Sequence, residues 1–224
     1  MRIRKKAWAR PELAVCSYFV EKPQDIKGHW KEEFPGGNPV HLDLGCGKGV
    51  FLAEIAYNQL DVNFIGIDIS TDILGVARRN IDETFGGESP QNLKFFKYNI
   101  EKLSEVFSPA DGIGRIYINF CNPWPKSRGH KKRLTHTRQL EEYLKFLGSG
   151  AEIFFKTDDD DLYLATERYL ISGGFEITEK TVDLHKADWQ ENVLTEHELM
   201  FSSQGIKIKA IKAIVKGGGT TVEI

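Results

Sequence analysis

Asp43 stands just before the glycine-rich turn Gly45-Cys46-Gly47-Lys48-Gly49, and Asp68 and Asn99 each follow a later apolar run. A glycine-rich turn between a strand and a helix brings backbone N–H groups against a ligand with no Cβ in the way. A carboxylate at the end of the next strand can accept hydrogen bonds from both hydroxyls of a ribose, and an asparagine one strand further on can meet an adenine edge. The three side chains therefore describe a nucleoside pocket. The third glycine follows the second by two residues, which departs from the G-x-G-x-x-G of dinucleotide binders. A carboxylate at position 43 would also repel a pyrophosphate. Cys46, inside the turn, has no neighbour that would activate it and reads as a small filler.

A second group of residues follows the run Ile116 to Phe120, in Asn122-Pro123-Trp124-Pro125 and the stretch after it. The prolines fix φ, so Asn122 and Trp124 have little backbone freedom to lose on binding. Trp124 either stacks on a base or packs. Arg115, Lys126, Arg128, Lys131, Lys132, Arg133 and Arg138 fall in a stretch with no Asp or Glu, although the chain as a whole has a formal net charge of -2. That asymmetry predicts a polyanionic partner. His130 and His136 have no Cys or carboxylate beside them, and no metal site is expected.

These residues need elements to position them. Val40 to Leu44, Asn63 to Asp68, Leu93 to Tyr98, Ile116 to Phe120 and Ala151 to Lys156 read as buried strands. Helices are expected from Val50 to Tyr57, from Ser70 or Thr71 to Phe85, from Thr135 to Leu147 and from Asp158 to Ser172, with a short one near Glu101 to Phe107. Such alternation predicts an α/β fold with a mostly parallel sheet and helices on both faces, its ligands at the carboxyl ends of the strands. Glu176 to Val182 and Ile206 to Val215 read as two further strands that pair antiparallel at one edge, with no helix expected between them. Residues 1–38 are expected to form a basic arm and lead-in with a short helix around Ile26 to Phe34. Residues 39–216 would form the domain and 217–224 a flexible tail.

No apolar run approaches the roughly 20 residues needed to cross a bilayer. The basic start is not followed by the apolar segment of a signal peptide. Cys16, Cys46 and Cys121 are odd in number and widely spaced, which fits neither a disulfide framework nor a zinc site and points to a reducing cytoplasm. Oligomeric state is left open between monomer and homodimer.

The turn with its flanking carboxylates resembles the S-adenosylmethionine site of Rossmann-like class I methyltransferases, which implies a seven-stranded sheet with an antiparallel C-terminal edge strand. The run Asn119 to His136 resembles the signature of the bacterial tRNA (guanine-N(7)-)-methyltransferase family. The D-L-G-C-G-K-G turn, F-K-T-D at Phe155 to Asp158 and T-E-H-E at Thr195 to Glu198 match it as well. The resemblance implies methyl transfer from S-adenosylmethionine to the seventh-position ring nitrogen of a guanosine in the tRNA variable loop. It implies cofactor contacts from Asp43, Gly45, Gly47, Gly49, Asp68, Asn99 and Asn122. Lys126, Asp158, Thr195, Glu196, His197 and Glu198 would hold the guanosine, and Arg128, His130, Lys131, Lys132 and Arg133 the RNA. Asn122 and Asp158 would be the catalytic pair.

This chain departs from the family's common form at three places: Asp43 replaces Glu, Gly129 stands where many members have His, and Asn122 occupies a place that is often Asp. Asparagine is no base. The guanine nitrogen already carries an in-plane lone pair and no proton, so its alkylation requires orientation and a favourable field, with no deprotonation. If Thr195 to Glu198 is extended, alternate residues face the pocket. Asn-Pro-Trp-Pro also resembles the loop of exocyclic-amine methyltransferases, but Pro125 follows Trp124 here where theirs precedes the aromatic ring. A non-catalytic RNA-binding module is the other alternative, disfavoured by the intact cofactor turn. The glycine spacing disfavours a nicotinamide-dependent dehydrogenase.

Overall fold

The computed structural model describes residues 5–187, 189 and 191–217. Arg2 and Arg4 of the basic arm and residues 218–224 of the expected tail lie outside the described residues.

Among the described residues eight strands form one sheet: β1 (Phe19–Val20), β2 (Val40–Leu44), β3 (Asn63–Asp68), β4 (Leu93–Lys97), β5 (Ile113–Asn119), β6 (Glu152–Thr157), β7 (Phe175–Thr181) and β8 (Lys209–Val215). Their spatial order is β1-β4-β3-β2-β5-β6-β8-β7. The pairings from β1 through β6 are parallel, whereas β8 runs antiparallel to both β6 and β7. β8 is thus interior and β7 is the edge. The sheet has eight strands where seven were expected, because two residues of the lead-in pair with β4 at the opposite edge. β2 and β3 are buried along almost their whole length, as continuous apolar strands of a parallel sheet covered on both faces must be.

The covering helices are α1 (Ala9–Ala14), α2 (Val50–Asn58), α3 (Thr71–Thr84), α4 (Thr137–Leu144), α5 (Asp160–Ser172) and α6 (Glu196–Ser203). Phe51, Leu52, Ile55, Leu74 and Ile81 of α2 and α3, with Leu13 of α1, form the core on one face. Leu140, Tyr143, Leu162 and Leu170 of α4 and α5 form it on the other. The described part of the lead-in packs on both cores, Leu13 and Tyr18 on the first and Trp30 and Phe34 on the second. Trp30 is fully buried, stacks on Phe96 with ring centroids 5.3 Å apart, and donates its indole N–H to the Val106 carbonyl at 3.0 Å. The helix expected around Ile26 to Phe34 is a pair of 3₁₀ turns, Pro23–Ile26 and Trp30–Glu33.

Helix starts follow their caps. The Ser70 hydroxyl accepts from the Ile73 N–H at the start of α3, and the Asp159 carboxylate accepts from the Leu162 N–H at 2.6 Å at the start of α5. α6 is a helix where none was expected between the last two strands. Its outward residues Leu199 and Met200 are exposed, so it lacks the apolar period that betrays a helix. Among the described residues no helix is long and apolar enough to cross a membrane.

Candidate active site

The order of the sheet reverses at β2, which is flanked by β3 on one side and β5 on the other. In open α/β sheets such a reversal leaves a crevice beyond the carboxyl ends of the strands. Two cavities occupy it. One, of about 330 Å³, lies between Asp43, the glycine turn, Phe51 and the residues Thr195, Glu196 and His197. The other, of about 460 Å³, lies between Asp68, Ile69, Asn99, Asn122, Trp124 and Lys132. They share four residues, Gly45, Asp68, Asn119 and Phe120.

Gly45, Gly47 and Gly49 all have positive φ, of 78°, 55° and 70°. A Cβ on Gly49 would stand 2.8 Å from Cβ of Ala77, so glycine there lets α3 approach the turn. Asp68 braces the same turn, with Oδ2 accepting from the Gly47 N–H at 3.2 Å and Oδ1 from the Ser70 N–H at 2.9 Å. Burial raises its pKa, and those backbone donors pull it back. Asn99 accepts from the Glu101 N–H, which fixes its amide at the rim of the larger cavity.

Asp43 is 3% exposed. Burial above all, then the negative charge of Asp68, pushes its carboxyl up to about 7, while Lys156 works in the opposite direction. Lys156 was not among the expected site residues. It is fully buried and donates at 2.9 Å to the Asn192 side-chain oxygen, the Val193 carbonyl and the Glu198 carboxylate. Burial lowers its pKa and Glu198 raises it. The signal in the sequence is a lysine one residue from the end of an otherwise apolar strand, where solvent exposure was the natural reading.

Those three bonds draw the chain from Asn192 to Glu198 over β6. Thr195 to Glu198 is not extended. Thr195 caps α6 by accepting from the Glu198 N–H at 3.0 Å, so the buried pair is Thr195 and Glu198, three residues apart on one helix face. Glu196 reaches across the smaller cavity to Lys48 at 2.8 Å, and His197 stacks on Phe120 with centroids 5.6 Å apart.

In the loop after β5, Phe120 and Trp124 both adopt positive φ, 51° and 45°. The Asn122 side-chain oxygen accepts from the Trp124 N–H at 3.0 Å, closing a tight turn. Gly129 is buried beneath the Trp124 ring, where a Cβ would meet it at 3.3 Å. Lys132 holds its ammonium 4.9 Å from the centre of that ring. Ser127–Lys132 forms a 3₁₀ turn that leaves Lys126, Arg128, Lys131 and Lys132 exposed and His130 half-buried.

Three of the seven cations are occupied within the protein. Arg115 pairs with Glu152 and Glu191, and Arg138 lies 3.9 Å from Glu101. Arg133, expected on RNA, is 3% exposed and donates to the Pro123 carbonyl at 2.7 Å, where it braces the loop from inside. Lys126 and Asp158 line neither cavity. The Asp158 carbonyl accepts from Lys209 at 2.8 Å.

Residues 37–211 match a family model described as "Putative methyltransferase". A tRNA (guanine-N(7)-)-methyltransferase of Clostridium beijerinckii is 51% identical over 96% of this chain and 99% of its own length. One of Ruminiclostridium cellulolyticum is 48% identical over 96% of this chain and 93% of its own. The chain belongs to the tRNA (guanine-N(7)-)-methyltransferase family. The fold extends beyond the family. The 16S rRNA (adenine(1408)-N(1))-methyltransferase of Catenulisporales acidiphilia superposes with a TM-score of 0.59 at 13% identity, covering 89% of this chain and 94% of that one. The 16S rRNA methyltransferase KamB gives the same TM-score over 84% and 91%. The glycine turn, the Asn-Pro-Trp-Pro loop and the T-E-H-E segment of this chain are the three walls of one crevice.

Proposed function

We propose that this protein transfers the methyl group of S-adenosylmethionine to the seventh-position ring nitrogen of a guanosine in the tRNA variable loop. The observation that carries the reading is the pair of joined cavities. A carboxylate faces one, ribose- and base-competent groups face the other, and the exposed cations Lys126, Arg128, Lys131 and Lys132 lie beyond. The donor set fits an adenosyl cation: the side chains of Asp43, Asp68 and Asn99 are spread over three adjacent strand ends, and the turn's one cation is paired with a carboxylate. Lys48, the turn's own lysine, is paired with Glu196 across the smaller cavity.

When bound, S-adenosylmethionine supplies a methyl group activated by a sulfonium. Asp43 would hold its ammonium group, Asp68 the ribose and Asn99 the adenine edge, while Gly45 and Gly47 let the backbone approach. Asn122, fixed by its turn to Trp124, offers an amide dipole at the mouth of the larger cavity and leaves the guanine lone pair intact. Thr195, Glu196 and His197 would hold the guanosine from α6, with Lys126 and Asp158 reaching it from outside the cavities. Glu198 is committed to Lys156 and acts by placing that helix. Arg128, His130, Lys131 and Lys132 would contact the RNA. The reading implies a cytoplasmic enzyme whose partner is tRNA.

The test is incubation with labelled S-adenosylmethionine and unmodified bulk tRNA, followed by nuclease digestion and mass spectrometry of the nucleosides. 7-Methylguanosine is expected. A methyl group on an exocyclic amine, or none, overturns the proposal.

A further inference from the structure

Asn119, the last residue of β5, is shared by both cavities. Its side-chain nitrogen and oxygen are both buried, and neither has a hydrogen-bond partner among the described residues. An amide left in that state costs the fold its full desolvation, so it calls for an explanation in function. Its neighbours have other commitments: Asp68 is bonded to the backbone of Gly47 and Ser70, Asn122 to that of Trp124, and Lys156, its register partner on β6, to the segment leading into α6. Among the described residues no bond holds the Asn119 amide in its rotamer, so turning it into the waist between the cavities breaks none of their hydrogen bonds.

We propose that Asn119 is a further cofactor-contacting residue, whose carboxamide oxygen faces the positively charged centre of S-adenosylmethionine. The inference rests on the reading given above. A ligand with its amino-acid end at Asp43 and its nucleoside end at Asp68 and Asn99 must pass its sulfonium through the waist these cavities share. A carbonyl oxygen there attracts a sulfonium and the polarised C–H bonds of its methyl group, and gains nothing from the neutral thioether left after transfer. Asn119 thereby distinguishes substrate from product, holding S-adenosylmethionine and releasing S-adenosylhomocysteine.

Calorimetry of the full chain without tRNA tests this with the two ligands in parallel. Asn119→Leu, nearly isosteric, is expected to bind S-adenosylmethionine roughly tenfold more weakly while its affinity for S-adenosylhomocysteine stays within about twofold. Asn119→Asp keeps the oxygen and is expected to retain the preference for the charged ligand. The leucine variant should melt at or above the wild-type temperature, since the unmet amide is gone; if it melts below, the aspartate variant decides. Equal losses for both ligands, or no loss for either, overturn the role of Asn119 and leave the cofactor reading standing. A wild-type protein that binds neither ligand overturns both.

Discussion

The Lys156 ammonium and the Glu198 carboxylate lie 2.9 Å apart with both side chains fully buried. Their strand and helix are distant in sequence, so this pair is what ties the α6 wall to the floor of the crevice. Removing one member of a buried pair strands the other charge, at a cost of roughly 3–5 kcal/mol. Lys156→Ala should lose about that much stability, read from the urea midpoint at unchanged slope. The double variant Lys156→Met with Glu198→Leu should recover most of it while tRNA methylation stays impaired.

Asp43 gives stability a pH dependence. Its carboxyl titrates near 7 in the folded chain against 3.8 for the unconstrained group. Between those values the folded state keeps a proton that the unfolded chain has released, so stability falls as pH rises from about 4 to 7. The shift corresponds to about 4 kcal/mol at most, at 1.36 kcal/mol per unit. Asp43→Asn should flatten the dependence in denaturant titrations run at pH 5 and pH 8.

In the contact proposed for the cofactor's ammonium group, the same carboxyl has to be ionised. Cofactor binding below pH 7 should therefore release a proton, seen as a binding enthalpy that changes with the ionisation heat of the buffer. The dependence should vanish in Asp43→Asn along with much of the affinity. A buffer-independent enthalpy in the wild type would remove Asp43 from the contact.

The basic loop separates into two kinds of cation. Replacing Lys131 and Lys132 with Ala should reduce the log–log salt slope of tRNA binding by up to about two, at roughly 0.9 per phosphate, and leave the melting temperature unchanged. Arg133→Ala should do the reverse. It leaves the Pro123 carbonyl without its donor, costs about 1–3 kcal/mol of stability, and keeps the salt slope.

Gly49 is held at φ 70° against Ala77. Gly49→Ala combines a left-handed backbone with a clash at 2.8 Å, so a loss of about 2 kcal/mol or more in stability is expected from thermal unfolding.

What could be read from the sequence was what repeats or punctuates. The strand–turn–helix at Asp43 to Asn58, the carboxylate ending β3 and the asparagine following β4 stand out because period 2, period 3.6 and glycine are local signals. Lys156 and Asn119 carry none, since each sits near the end of an apolar strand and its importance comes from segments far along the chain. α6 was missed for a related reason: its first turn spells Thr-x-x-Glu, a capping signal, but its glutamate bonds to Lys156 and its outer face has no apolar period. Arg133 misled in the opposite sense, because a charge count cannot tell a side chain aimed at solvent from one aimed at a carbonyl of its own loop.

The place of β8 between β6 and β7 sets an order of assembly. Until residues 209–215 have been made, β6 and β7 have no strand between them to pair with. Only when residues 209–215 slide between the two does the sheet close. The segment from Asn192 to Ser203 is then held at both ends, by Lys156 before it and β8 after it. Before that strand is in place the α6 wall is tied on its Lys156 side alone, so the crevice is completed by the strand that is made last.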